Sequence, residues 1–229
     1  MNRKLMTLFA ALTAFVAMAV VPALASASTV GTLQTHAGTP LAVGTNVIGT
    51  STNLKFTTGS GATIQCVTNT LTGKVTKNDG HTFSGEITTS THNGRPSQPT
   101  PHGTHCDSSL GISTIKAENL PWCLFGVGDV TETDTVTLDG CGAGNIKFTA
   151  TVTPFGFSIA TCTYENEKHV VASYVTNASP LVLTIKAAAF KRTAGAESCG
   201  NTGTLTGSFT LNRDDAGVSG TNLKVTNTT

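Results

Sequence analysis

The stretch from Asn145 to Glu165, NIKFTATVTPFGFSIATCTYE, contains the clearest β-hairpin pattern in the chain. Over residues 146–153 the apolar side chains Ile, Phe, Ala and Val alternate with Lys and Thr. This period of two places the apolar side chains on one face of a strand and the polar ones on the other. Pro154 to Gly156 supplies turn-forming residues, and a second strand returns toward Glu165. The stretch therefore predicts two antiparallel strands with one buried face.

The same pattern recurs along the chain and predicts an all-β fold. About ten to twelve short strand segments are separated by turn signals such as Asn78-Asp79-Gly80. This spacing is typical of an antiparallel β-sandwich, or of a barrel-like double sheet. Leu181 to Lys191 is the one arguable helix, and its β-branched residues favour a strand instead.

Residues 1–27 have the pattern of a secretory signal peptide. Arg3 and Lys4 precede the uncharged apolar run from Leu5 to Val21, and small residues then allow cleavage after Ala25 or, as we prefer, Ala27. We therefore expect a secreted, extracellular protein with no membrane span in the mature chain.

The remaining residues, 28–229, are long enough for a single β domain with a substantial core. A subdivision near Gly144 is the alternative, because the first two expected disulfides precede this point and the third follows it.

The composition argues against a nucleic-acid or anionic-membrane partner. Loss of Arg3 and Lys4 with the leader reduces the basic residues from 14 to 12, against 13 acidic ones, which gives a net charge near −1. Binding to nucleic acid requires a basic face. Charged residues make up 12% of the chain, about half the usual share. The threonine-rich chain is therefore expected to have a neutral, hydroxyl-bearing exterior.

Six cysteines predict a disulfide framework, because their number is even and the expected compartment is oxidising. The count alone leaves the connectivity open, and we expect sequential pairing. A zinc site is disfavoured because no Cys-x-x-Cys spacing occurs. The expected pairs are Cys66–Cys106, Cys123–Cys141 and Cys162–Cys199.

Ser90 to Gly111 is the longest segment without a strand pattern, and it contains the candidate binding residues His102 and His105. Imidazoles can bind a metal when several ligands converge. A proline-rich loop does not hold its side chains in such an arrangement, so we expect solvated histidines, no metal and no cofactor.

Trp122 and Phe125 are a second candidate binding pair, because aromatic rings can stack on a sugar or contact a hydrocarbon. Their alternative role, together with Tyr164, is in the core. Neither Gly-x-Ser-x-Gly, His-Glu-x-x-His nor a phosphate-binding glycine loop is present in the sequence. We therefore expect no catalytic residue.

Several features resemble known secreted proteins. The leader, the Thr-rich strand around Cys66, the Leu120-Pro121-Trp122 element and the Cys141-Gly142 pair are similar to secreted bacterial proteins of the alkane-oxidation-activator type and to a broad group of actinobacterial secreted β proteins. The resemblance spans Ala62 to Val152. It implies an exported, surface-active accessory protein rather than a catalyst.

The sequence thus predicts a secreted, cell-surface-associated binding or structural protein without catalytic activity. Its expected partner is a cell-wall polymer, a hydrophobic substrate or another copy of itself. The alternative is a secreted hydrolase or inhibitor that uses the loop of residues 90–111.

Overall fold

The computed structural model describes residues 30–97, 103–127, 133–142, 144–153, 160–215 and 218–228. These residues form sixteen β-strands and one short 3₁₀ turn, with no α-helix among them. The strands are β1 (Val30–Thr35), β2 (Asn46–Ser51), β3 (Lys55–Thr58), β4 (Thr63–Gln65), β5 (Thr68–Asn78), β6 (Thr82–Asn93), β7 (Cys106–Ser108), β8 (Gly111–Glu118), β9 (Trp122–Val127), β10 (Thr133–Gly140), β11 (Lys147–Thr153), β12 (Ala160–Asn166), β13 (Val170–Val175), β14 (Leu181–Gly195), β15 (Thr202–Asp215) and β16 (Val218–Thr228).

All strand pairings are antiparallel, and they close into two circuits. The first circuit runs β2-β5-β6-β9-β10-β13-β14-β15 and returns to β2. The second runs β3-β4-β7-β8-β11-β12-β14-β15 and returns to β3. β1 and β16 pair with each other, and β16 joins β15. The predicted all-β antiparallel fold is thereby confirmed.

The long hairpin of β14 and β15 belongs to both circuits. Near its start β14 pairs with β13 at Thr184, and from Phe190 onward it pairs with β12. β15 pairs with β3 over Gly203–Thr206 and with β2 over Thr210–Arg213. Two strands of this length can serve both circuits because each half presents its free edge to a different neighbour.

From β2 to β13 the chain alternates between the circuits. β2, β5, β6, β9, β10 and β13 lie in the first, whereas β3, β4, β7, β8, β11 and β12 lie in the second. The crossings occur on both sides of Gly144. The extent of the domain, 28–229, and its subdivision near Gly144 stay predictions.

The hairpin of residues 145–165 forms as the alternation predicts. β11 and β12 pair from Lys147 opposite Glu165 to Val152 opposite Ala160. The side chains of the predicted inner face, Ile146, Phe148, Ala150 and Val152, are buried. The turn at Pro154–Gly156 lies outside the described residues.

Two expectations from the sequence are wrong in detail. Sixteen strands exceed the ten to twelve expected, in part because β4 and β7 are strands of only three residues each. The segment 90–111 contains more strand than expected, since β6 continues to Asn93 and β7 covers Cys106–Ser108. Residues 181–191 form a strand, as favoured over the helix.

All six cysteines are paired, and the expected sequential connectivity is confirmed. Each disulfide connects two segments that are separated in sequence, and at least one of its cysteines lies in a link beside a strand. Cys66–Cys106 joins the link between β4 and β5 to the start of β7, and Cys123–Cys141 joins β9 to the residue after β10. Cys162–Cys199 joins β12 to the 3₁₀ turn between β14 and β15.

A continuous hydrophobic core extends through both circuits. In the second circuit Phe56 lies edge-on to Phe148, with ring centroids 4.9 Å apart. The ring of Phe56 lies over Gly203, where a Cβ atom would come within 2.0 Å of it. The ring of Phe83 lies over Gly126 in the same way, at 2.1 Å, in the first circuit. Glycine is therefore required at these two strand positions so that an aromatic ring can cover the backbone.

Residues 1–29, including the expected leader, lie outside the described residues. None of the described residues belongs to a helix with the length and hydrophobicity that a bilayer crossing requires.

Candidate functional site: an apolar cavity with a polar end

The core contains a cavity of about 150 Å³ that is partly open toward the surface residues Lys74 and Glu86. Its lining comes from inward-facing side chains of both circuits, including Val75, Leu138 and Ala172 from the first and Phe56 and Phe148 from the second. Protein interiors are close-packed, with few voids larger than a water molecule. A water molecule occupies about 30 Å³ of the liquid, so this cavity is several times larger.

One end of the cavity is polar, because Asn69 and His92 belong to its lining. Asn69 lies on β5 directly opposite His92 on β6, and Ser90 precedes His92 by two residues on the same face. The Cys66–Cys106 disulfide lies three residues before Asn69 and holds the entry to β5. The pairing of two strands therefore brings three polar side chains together on an otherwise apolar inner face.

The hydrogen bonds of Asn69 determine which atoms donate and which accept in the series that links Asn69, His92 and Ser90. Its side chain is fully buried, and its amide Nδ2 donates to the backbone oxygens of Ser51 and Cys66 at 3.1 and 3.0 Å. With both amide hydrogens used, Oδ1 is the acceptor that faces His92, and His92 Nδ1–H donates to it at 2.9 Å. His92 Nε2 is then unprotonated and accepts the hydroxyl hydrogen of Ser90 at 2.8 Å.

The imidazole of His92 is neutral at physiological pH. Burial lowers its pKa from 6.5 to about 4, because the charged form would lose its hydration. A neutral ring with one hydrogen also satisfies both hydrogen bonds. The site therefore presents uncharged dipoles rather than an ion to the cavity.

The structure separates the two aromatic candidates. Trp122 is buried at 7% exposure, lines the cavity and donates its Nε1–H to the backbone oxygen of Glu118 at 2.9 Å. Phe125 is 48% exposed, because it is three residues further along β9 and lies on the outer face. Tyr164 is fully buried against Phe56. The structure therefore does not bring these three residues together as a stacking surface.

The histidine candidates of the 90–111 segment do not form a site in the part of the chain described here. His102 lies outside the described residues, and His105 is half-buried immediately before Cys106. Among residues 30–97, 103–127 and the other described ranges, no group of three His, Cys, Asp or Glu side chains could hold a metal ion.

The described part of this segment is tied to the sheet by Asp107. Its carboxylate accepts hydrogen bonds from Arg95 Nε at 2.7 Å and from Ser97 Oγ at 2.8 Å. Burial opposes ionisation of Asp107, but these hydrogen bonds outweigh it and hold the pKa of the carboxyl below its usual value. Arg95 and Ser97 are therefore fixed to β7.

The polar end of the cavity was not predicted, because a register shift hides it in the sequence. Ile87 pairs with Gly73 whereas Thr89 pairs with Thr72, so Thr88 is an extra residue in β6. Such a bulge moves the following side chains to the opposite face. Ser90 and His92 consequently point inward, although the alternation set by Ile87 would place them outside. The available signal in the sequence was the pair Ser90 and His92, which lie two residues apart shortly after Ile87.

Fold and site together define a class of molecule, namely a disulfide-linked antiparallel β protein that contains a small, mainly apolar cavity. Comparison with protein-family models, with curated proteins and with solved structures gives no match. The resemblance to alkane-oxidation-activator proteins therefore stays a prediction.

Proposed function

We propose that the protein is an exported, cell-surface-associated binding protein without catalytic activity, and that it holds a small hydrophobic ligand in its interior cavity. The observation that supports this most directly is the volume of about 150 Å³ lined almost entirely by carbon. An engineered apolar cavity of this size in an unrelated protein binds benzene. A hydrophobic substrate is also one of the partners expected from the sequence.

The expected affinity is modest because the ligand is small. At about 0.7 kcal/mol per non-hydrogen atom, which is within the range for small ligands, toluene would bind with about 5 kcal/mol. This corresponds to a dissociation constant on the order of 0.1–1 mM.

Export is supported by the leader pattern of residues 1–27 and by the three disulfides, since structural disulfides persist in oxidising compartments. Association with the cell surface is supported by the outer faces of the sheet. Thr210, Thr50, Thr70 and Thr91 lie side by side across four neighbouring strands. Such uncharged hydroxyl rows suit contact with a cell-wall polymer or with a second copy of the chain.

Toluene binding tests the cavity. Titration of the disulfide-intact protein, followed by calorimetry or by NMR chemical shifts, should give saturable binding at submillimolar to millimolar concentrations. Ala172→Leu places added carbon atoms in the cavity and should weaken binding by tenfold or more. Val171→Leu is the matched control, because Val171 is 50% exposed on the other face of β13 and should leave the affinity unchanged. Absence of saturable binding, or equal effects of the two substitutions, would refute the proposal.

Cell fractionation tests the location separately. We expect the processed chain in the medium and in the cell-wall fraction, and retention on isolated wall polymer. Recovery in the cytoplasm with reduced cysteines would contradict export, whatever the ligand result.

A specific arrangement favours a second candidate, the hydrolase that uses the 90–111 segment. Ser90 donates to His92, which donates to Asn69, in the order nucleophile, base and orienting group. Ser90 Oγ would attack an ester carbonyl while His92 Nε2 takes its proton, returns it to the leaving alcohol and later activates the water that releases the acid. A fluorophosphonate probe should then label Ser90 and should fail on Ser90→Ala but not on Ser84→Ala, whose hydroxyl faces Thr76. Absence of labelling on the native chain would remove this candidate and leave the inhibitor alternative.

A further inference from the structure

The polar end of the cavity offers hydrogen-bond acceptors and no free donor. Both amide hydrogens of Asn69 are used by backbone oxygens, and the single ring hydrogen of His92 is used by Asn69 Oδ1. The hydroxyl hydrogen of Ser90 is used by His92 Nε2. What remains for a ligand is lone pairs, on Asn69 Oδ1 and on the ring nitrogen that Ser90 occupies.

The ring nitrogen is the better of these acceptors. Asn69 Oδ1 already accepts one hydrogen bond in a fully buried position. His92 lines the cavity, and its Nε2 accepts a hydrogen bond from Ser90, a residue that is itself half-buried. Ser90 can turn its hydroxyl to water at little cost, so a hydroxyl entering from the cavity side can take its place on Nε2.

The cavity also disfavours an unpaired charge. Its other polar lining residues are Thr72, Ser84, Lys74 and Glu86; the two hydroxyls bond to Thr89 and Thr76, and Lys74 forms an ion pair with Glu86. The rest of the lining is apolar, and burial of an unpaired ion in such surroundings is strongly unfavourable. A carboxylate would in addition place lone pairs against lone pairs at the polar end. A ketone or an ether has no hydrogen to donate there.

We propose, on the basis of the binding function above, that the ligand is a small uncharged alcohol of the phenol type. The apolar ring lies among the side chains of the two circuits, and the hydroxyl donates to His92 Nε2. The class is set by three observations together: the volume, the apolar walls and a polar end made only of acceptors.

Phenol and toluene provide the test, because they have the same number of non-hydrogen atoms and differ in the donor. The quantity measured is the ratio of their affinities, by calorimetry, on the native chain, on Ser90→Ala and on His92→Phe. Ser90→Ala removes the competing hydroxyl, so the ratio should shift toward phenol by about threefold to tenfold, as for one neutral hydrogen bond. His92→Phe keeps a ring but removes Nε2, so the ratio should shift toward toluene by a similar factor.

The outcomes separate this inference from the binding function. If toluene does not bind the native chain, the cavity is not a ligand site and both proposals fail. If toluene binds but Ser90→Ala leaves the phenol-to-toluene ratio unchanged, only the assignment of a hydroxyl ligand fails. Benzaldehyde, an acceptor of similar size, should gain nothing from Ser90→Ala, and an equal gain would show that the substitution merely enlarges the cavity. Should His92→Phe fail to fold, the nitrogen resonance of His92 in Ser90→Ala gives the same answer, because phenol should move it and toluene should not.

Discussion

Filling the cavity from a strand that lines it should stabilise the protein. Ala172 on β13 is 1% exposed and belongs to the cavity lining. Ala172→Val adds two carbon atoms that have unoccupied space in front of them. At about 0.8 kcal/mol for each buried carbon the gain is about 1.6 kcal/mol. The lost rotamer freedom of the new side chain costs about 0.5 kcal/mol, so the expected net gain in the free energy of unfolding is about 1 kcal/mol.

Ala150 provides the control for this expectation. It is equally buried, at 1% exposure, and lies on the inner face of β11 between Ile115 and Cys162. Unlike Ala172, it does not itself line the cavity. Ala150→Val should therefore overpack the core and cost about 1–3 kcal/mol. Urea unfolding with the disulfides intact measures both free energies. In thermal unfolding the midpoint temperatures should move in opposite directions by about 2–4 °C per kcal/mol. If Ala172→Val destabilises as much as Ala150→Val, there is no room at Ala172 and the reasoning fails.

Three further predictions test the parts of the fold that support the site. Gly126→Ala should destabilise by about 1–3 kcal/mol, because its Cβ would lie 2.1 Å from the Phe83 ring; Phe83→Leu in the same chain should recover part of this loss in urea unfolding. Replacing Cys66 and Cys106, which are 40 residues apart, by alanine should cost about 4 kcal/mol. Replacing Cys123 and Cys141, which are 18 residues apart, should cost about 3 kcal/mol. Equal losses would contradict the loop-length argument. The pKa of His92 falls from 6.5 to about 4 on folding, so between these values the unfolded chain binds more protons and stability rises with pH. The contribution is complete above pH 6.5 and is lost toward pH 4, on the order of 3 kcal/mol. His92→Gln should remove this contribution from the pH profile of unfolding.

The strands and the disulfides could be predicted because both have local signals. Strict alternation, as in residues 146–153, fixes which side chains face inward without knowledge of the partner strand. The presence of disulfides could be predicted from the even number of cysteines, whereas their sequential connectivity was an expectation that the count left open. The outcome for Leu181 to Lys191 has the same origin, since β-branched residues favoured the strand that forms there.

The closure of the strands into two circuits could not be predicted from such signals. It depends on pairings between strands that are far apart in sequence, such as β2 with β15, and no periodicity encodes these. The polar end of the cavity was hidden for a related reason. One extra residue, Thr88, reverses the facing of Ser90 and His92, and a bulge of this kind is specified by the partner strand as much as by its own sequence.

The proposed binding function also explains a cost in stability that the cavity imposes. At about 24 cal/mol for each Å³, a volume of about 150 Å³ forfeits roughly 3–4 kcal/mol of stability. This is a large share of the 5–15 kcal/mol that is typical for a folded chain. Larger side chains at positions such as Ala172 would recover part of this loss. A ligand bound to the folded state returns the lost stability, by about 2.7 kcal/mol at a hundredfold excess over its dissociation constant. Under the proposed binding function, addition of phenol or toluene should therefore raise the unfolding temperature of the native chain but not that of Ala172→Leu.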